Sequence, residues 1–248
     1  MRFRGGKPLV YGDPFVTGGG TPAWNPVALS PLVWLVSADA ATITLSGSNV
    51  TAWADKGSAA GSWTQSTSAN QPTYSASDLG YPGVRSSGAV SSEYLQRSNP
   101  TSYTEMEILV VYEQDFDPAS STSKGGLWRI GSSAQNTIMS YPGNQHIYDD
   151  AGSTTRRDTG TRITPLTSPV CYSVVSTASE WTSYLNFAQQ YTTATNTVGT
   201  DTMFYIGASY ATAPLDGVIR ELLVFDRKLS SGERSDVHAY FSAKWGVP

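Results

Sequence analysis

The chain has little cysteine, histidine or charge. Its single cysteine, Cys171, excludes an internal disulfide among the 248 residues. The two histidines, His146 and His238, offer no zinc-ligand spacing. Asp, Glu, Lys and Arg together make up 15%, the formal charge is −4 and the pI is 5.1. That balance gives no broad basic surface for a nucleic-acid partner. No apolar run reaches the ~18 residues of a membrane helix, so no membrane insertion is expected. No phosphate-binding loop occurs, and no cofactor is expected.

The chain does have many polar turns and short apolar runs, a mixture suited to strands. EILVVYE (Glu107–Glu113) holds five consecutive apolar residues and reads as a central strand covered on both faces. LVWLVS, LWRI, TIMSY, QHIYD, TMFYIG and GVIRELLVFD add further strands. YPGN between TIMSY and QHIYD marks a hairpin, and VCYSVVST with WTSYLNF reads as another. In the latter, period two places Leu185 and Phe187 on one side, and Tyr184 and Asn186 on the other. Many short strands without alternating helices predict an all-β antiparallel sandwich.

The tail departs from this pattern. Ser230 and Glu233 have the spacing of a capping box. Val237, Tyr240, Phe241, Lys244 and Trp245 follow at helical spacing, and Gly246 stops the run. A helix this short is marginal alone, so its apolar stripe is expected to dock on the sheet.

At the other end, residues 1–28 read as an extended Gly/Pro-rich arm, followed by one sandwich over 29–248. GGKP, YGDP, TGGGTP and WNP oppose regular structure. Arg2, Arg4 and Lys7 make the tip basic. Phe3, Tyr11, Phe15 and Trp24 give the arm apolar groups suited to a partner's surface. Gly5, Gly6, Lys7 and Pro8 stand where the apolar core of a secretory leader would be, so synthesis in a host cytoplasm without a signal peptide is expected.

The stretch from Leu32 to Tyr74 carries Trp34-Leu35, Thr42-Ile43, Val50, Trp53, Asp55-Lys56, Thr64-Gln65 and Gln71-Pro72-Thr73-Tyr74. With the closing YIGAS, DGVIRELLVFDRKLSSGER and YFSAKWG, it resembles the laminin-G / concanavalin-A-like jelly-roll domains of bacteria and their phages. The resemblance runs from Leu29 to Pro248 and implies a jelly-roll sandwich. Departures fall at Val36, at the turn Lys56 to Gly61, and at SSGAVSSEYL before the Tyr94-Leu95 pair.

Laminarinase-type members of that fold place several acids along one strand. The nearest match is Glu105 and Glu107 at period two, with no third acid at Leu109, so these read as a solvated strand start and no enzyme is expected. Trp128, Tyr141, His146 and Tyr148 are the candidate glycan-binding residues, since sugar rings stack on aromatic faces. Asp149 and Asp150 are weak calcium candidates. Cys171 reads as a buried small hydrophobe and His238 as a surface residue.

Jelly-roll domains of this kind work outside cells, whereas the chain shows neither export signal nor disulfides. A phage virion surface protein reconciles the two. The expectation is a capsid decoration protein or tail-associated adhesin, anchored by its arm to other virion proteins. It would act as a homo-oligomer, with a trimer as one expected state. A carbohydrate-binding module for host surface glycans is the alternative, and a glucanase-like hydrolase comes last.

Overall fold

The computed structural model of the protein describes residues 24–88, 93–115, 125–131, 145–210 and 213–248. The first half holds β1 (Val33–Val36), β2 (Ile43–Ser46), β3 (Asn49–Ala54), β4 (Ser62–Thr64), β5 (Thr73–Asp78), β6 (Tyr81–Ser87), β7 (Leu95–Ser98) and β8 (Met106–Gln114). The second holds β9 (Trp128–Gly131), β10 (His146–Asp149), β11 (Arg157–Thr161), β12 (Val170–Thr177), β13 (Glu180–Leu185), β14 (Ala188–Thr193) and β15 (Thr200–Ile206). β16 (Ala208–Tyr210), β17 (Ala213–Pro214), β18 (Asp216–Phe225) and α1 (Ser231–Trp245) close the chain. The fold is all-β, an antiparallel jelly-roll sandwich with one short C-terminal helix.

Among the described residues, fourteen strands form one hydrogen-bonded sheet: twelve follow the path β14-β13-β12-β8-β18-β6-β5-β3-β4-β7-β15-β9, and β1 joins it on β18 and β2 on β3. The path curls over on itself. Trp128 of β9 lies at one end, yet its ring centroid is 5.4 Å from that of Tyr172 on β12, near the other end. The result is two layers that share an inner core of Trp53, Trp63, Trp128, Trp181, Phe204 and aliphatic residues from both layers. Trp63 and Phe204 meet edge to face at 4.5 Å.

The first layer is buried on its other side as well. Ile108, Val110 and Tyr112 of β8 enter the inner core, while Leu109 and Val111 enter a second core with Trp34, Val36, Cys171 and the helix. The run EILVVYE is continuous because neither face of β8 meets water. In α1, Val237, Tyr240, Phe241 and Trp245 are buried against this outer face, as the stripe predicts. Ser230 Oγ accepts from Glu233 N (3.2 Å) and Ser230 N donates to Glu233 Oε2 (2.8 Å), completing the capping box. Gly246 closes the helix in the left-handed region at φ 71°.

The hairpin β12–β13 forms as expected, but Leu185 and Phe187 do not share a side. Leu185 joins the inner core and Phe187 packs against the helix core. Asn186 and Phe187 take φ 49° and 64°, the two left-handed positions of a tight hairpin turn, which ends the period-two alternation. The TIMSY strand and the YPGN turn lie outside the described residues, as do residues 1–23 of the arm. The arm's last residues are described, and Pro26–Leu29 form a 3-10 turn capped by Asn25 where WNP was expected to oppose regular structure. Trp24 packs against the helix core, 5.8 Å from Tyr240.

The Trp34 and Asp55-Lys56 residues of the resemblance close one corner of the sandwich. Asp55 Oδ1 accepts from Trp34 N (2.8 Å) and Gly57 N (2.7 Å), and Oδ2 accepts from Arg97 Nη1 (2.7 Å). A Cβ on Gly57 would stand 2.5 Å from the Leu32 carbonyl oxygen, so the turn admits no side chain there.

Candidate functional site

The candidates chosen from sequence scatter. Trp128 is fully buried, its Nε1 donating to Asp149 Oδ1 (3.3 Å), so its ring offers no face to a sugar and it leaves the candidate site. His146 and Tyr148 are half-buried on β10, their rings 6.2 Å apart. His146 Nδ1 pairs with both Asp158 oxygens at 2.9 Å, and the Arg156 guanidinium sits 4.5 Å over the Tyr148 ring. Tyr141 lies outside the described residues, as do Arg2, Phe3, Arg4, Lys7, Tyr11 and Phe15.

Asp149 is not a loop ligand. Its carboxylate is fully buried and turns into the core, accepting from the Tyr172 hydroxyl (2.8 Å), the Trp128 indole and the Ala151 amide (2.9 Å). Asp150 is fully buried as well, and the described residues contain no group of three or more His, Cys, Asp or Glu side chains placed to hold a metal. Glu107 is neither catalytic in placement nor solvated. It is fully buried and grips Arg234 Nε (2.8 Å) and Nη2 (2.9 Å) and the Leu229 amide (2.9 Å), tying the helix start to β8. Glu105 lies in the loop before β8. Cys171 is buried, as expected. His238 stacks on Phe187 at 4.3 Å.

A different surface gathers the polar and aromatic groups: the outward face of the second layer. Trp53, Trp63, Leu95, Phe204, Ile206 and Trp128 point into the core, so their chain neighbours point out. The strand register lines these up in one transverse row. Thr44 of β2 faces Ala52 of β3, Ala52 faces Thr64 of β4, and Thr64 faces Gln96 of β7. Gln96 faces Tyr205 of β15, and Tyr205 faces Arg129 of β9. All six are exposed or half-exposed. Tyr94 stands edge-on to Tyr205 at 5.4 Å, and the Arg129 guanidinium lies 5.4 Å over the Tyr205 ring.

Beyond Tyr205 on the same strand face, Asp201 Oδ2 holds Arg129 through Nε (2.8 Å) and Nη2 (2.6 Å). Its Oδ1 accepts from the Thr202 amide at 2.7 Å. Partial burial works against the charged form, but the Arg129 charge and these donors win and hold the Asp201 carboxyl below its ordinary range. Asp201 also lines an open cavity of 340 Å³ with Asn99, Thr101, Ser102, Thr200 and Thr202. Asn99 Nδ2 donates to the Asp201 carbonyl, while its Oδ1 is buried with no donor among the described residues. A buried acceptor without a donor costs on the order of 1–3 kcal/mol.

Chemically, the surface offers tyrosine rings, one ion pair, an amide and several hydroxyls around a shallow cavity. Retaining and inverting glycosidases use a pair of carboxylates, and the cavity lining contributes one, Asp201. Sequence reasoning missed the surface although a signal was present. In LWRI and TMFYIG the large apolar residues Trp128, Ile130, Phe204 and Ile206 share one parity, which leaves Arg129, Met203 and Tyr205 facing out.

No family model matches the chain, and its sequence finds no match among curated proteins. Solved structures do match in fold. Domain 4 of AbnA, a GH43 extracellular arabinanase from Geobacillus stearothermophilus, solved with arabinotriose, aligns at TM-score 0.56 and 11% identity, covering 84% of this chain and 98% of that one. A GH54 α-L-arabinofuranosidase soaked with a cyclic sulfate inhibitor aligns at TM-score 0.56 and 11% identity, over 88% of this chain and 60% of that one. Trypanosoma rangeli sialidase in complex with the inhibitor DANA aligns at 0.52 and 12%, covering 84% of this chain and 32% of the sialidase. The chain thus spans about a third of the sialidase. These matches overturn the expectation that the chain is no enzyme: the β-sandwich it adopts is one found in glycoside hydrolases.

Proposed function

We propose that the chain is a carbohydrate-recognition β-sandwich whose saccharide lies on the outward face of the second layer, from Tyr94 and Tyr205 to the cavity at Asn99 and Asp201. The observation that carries this reading is the Arg129–Tyr205–Gln96–Thr64 row beside a cavity lined by Asn99, Asp201 and hydroxyl side chains. Tyrosine rings supply apolar contact for sugar C–H faces, and hydroxyl and amide groups fix orientation. The likeness to an arabinanase domain solved with arabinotriose supports it.

Affinity electrophoresis and calorimetry against a panel of oligosaccharides test it, with turnover scored in the same samples. Tyr94→Ala and Asn99→Ala should each weaken binding about tenfold, the equivalent of ~1.4 kcal/mol. Unchanged affinity in both variants would place the ligand elsewhere.

The finer reading is a virion surface protein, a decoration protein or tail adhesin, held by residues 1–28. One observation favours it. Trp24 packs on the helix side of the first layer, and the candidate site lies on the outward side of the second. An anchor on one side and a saccharide face on the other suit a projecting domain. Mass spectrometry of purified particles tests this, and absence from them would end it.

A further inference from the structure

We infer that the saccharide at this face is neutral and hydroxyl-rich, and that Asp201 makes it so by occupying Arg129. The inference rests on the proposed site.

Arg129 is the cation of the row, and its Nε and Nη2 both point at Asp201 Oδ2, at 2.8 and 2.6 Å. The other cation nearby, Arg97, is taken up by Asp55 at 2.7 Å, with the Asp55 side chain fully buried. Every other side chain of the cavity lining is uncharged: Asn99, Thr101, Ser102, Thr200 and Thr202. A carboxylate or sulfate on a sugar would therefore meet the Asp201 charge, while the two guanidinium groups nearby among the described residues, Arg129 and Arg97, are already ion-paired. A sugar hydroxyl brings no charge, and it can donate to or accept from the threonine and serine hydroxyls of the lining.

The same geometry says how specificity would change. Replacing Asp201 by Asn keeps the shape of the site and frees the Arg129 fork, a bidentate partner for carboxylates.

The test is calorimetry of the full chain against two probe sets, neutral arabino- and gluco-oligosaccharides, and the same lengths ending in a uronate or a sialate. Binding is read at low and high salt. The wild type should bind the neutral set at least tenfold more tightly, with an affinity that salt leaves unchanged. Asp201→Asn should gain tenfold or more for the anionic set, and salt should erase the gain. The salt series on the wild type needs no variant, so it decides the matter even if Asp201→Asn fails to fold. Tighter wild-type binding of the anionic set would overturn this inference and leave the site standing. A folded Asp201→Asn protein without the anionic gain would overturn it too. Binding of neither set would overturn the site and this inference together.

Discussion

Trp245 donates its indole Nε1 to Glu221 Oε2 at 2.7 Å, and the acceptor is fully buried. The same carboxylate takes the Trp34 indole (2.7 Å), the Tyr240 hydroxyl (3.0 Å) and Lys244 Nζ (2.9 Å). One charge on β18 thus gathers the end of the helix and the strand β1. Removing it leaves four donors facing a void, including a lysine whose burial already lowers its pKa. Glu221→Ala should cost about 3–5 kcal/mol, measured as a shift in the urea midpoint. A loss under ~1 kcal/mol would show that the donors find other partners.

Glu107 does the matching task at the start of the helix. Glu107→Gln keeps the shape but loses the charged fork to Arg234, and should cost about 1–3 kcal/mol while saccharide affinity stays unchanged. A stable variant with impaired binding or turnover would return Glu107 to the list of functional groups.

Trp128→Ala separates core from surface. Full burial predicts a loss of about 3–5 kcal/mol from the cavity left behind, seen in thermal or chemical denaturation. A variant as stable as the wild type but deficient in saccharide binding would contradict the buried placement.

The capping box predicts a pH dependence. Arg227 first, and then the Ser230 amide, hold the Glu233 carboxyl at about 2, against an ordinary 4.5. A carboxyl depressed in the folded state contributes its stability fully above the unfolded value and loses it as pH falls through the folded one. The stability difference between wild type and Glu233→Gln should therefore be present near neutral pH and fade between pH 4.5 and about 2. A difference that stays constant across that window would mean the charge has no part in it.

Gly57→Ala should cost about 1–3 kcal/mol, because its Cβ would press on the Leu32 carbonyl at 2.5 Å and loosen the Asp55 corner. Equal stability of the variant in a denaturant titration would show that the turn can shift.

How much of this was legible depended on whether the information was local. The capping box, the stripe on α1 and the doubly covered β8 follow from spacing alone, and all three form. Glu221 was not legible. Period two would place residues 219, 221 and 223 on one side. A register shift between Ile219 and Glu221 moves Leu222 and Val224 to the inner core, and Glu221, Leu223 and Phe225 to the helix side. No local pattern announces that irregularity, and Trp34 is 187 residues away. The candidate site failed for the opposite reason. Its parity was readable in LWRI, but Trp128 drew attention by size, and size in a short strand points inward more often than out. Phe187 was misplaced by a turn that only dihedral angles reveal.

The double covering of β8 also sets a clock. Water reaches the backbone of Ile108 to Tyr112 from neither side, so these amides have no shallow route to solvent exchange. Their deuterium uptake should wait for the whole molecule to open. Five backbone protons in the middle of the sheet would then report the lifetime of the entire fold, whatever its loops are doing.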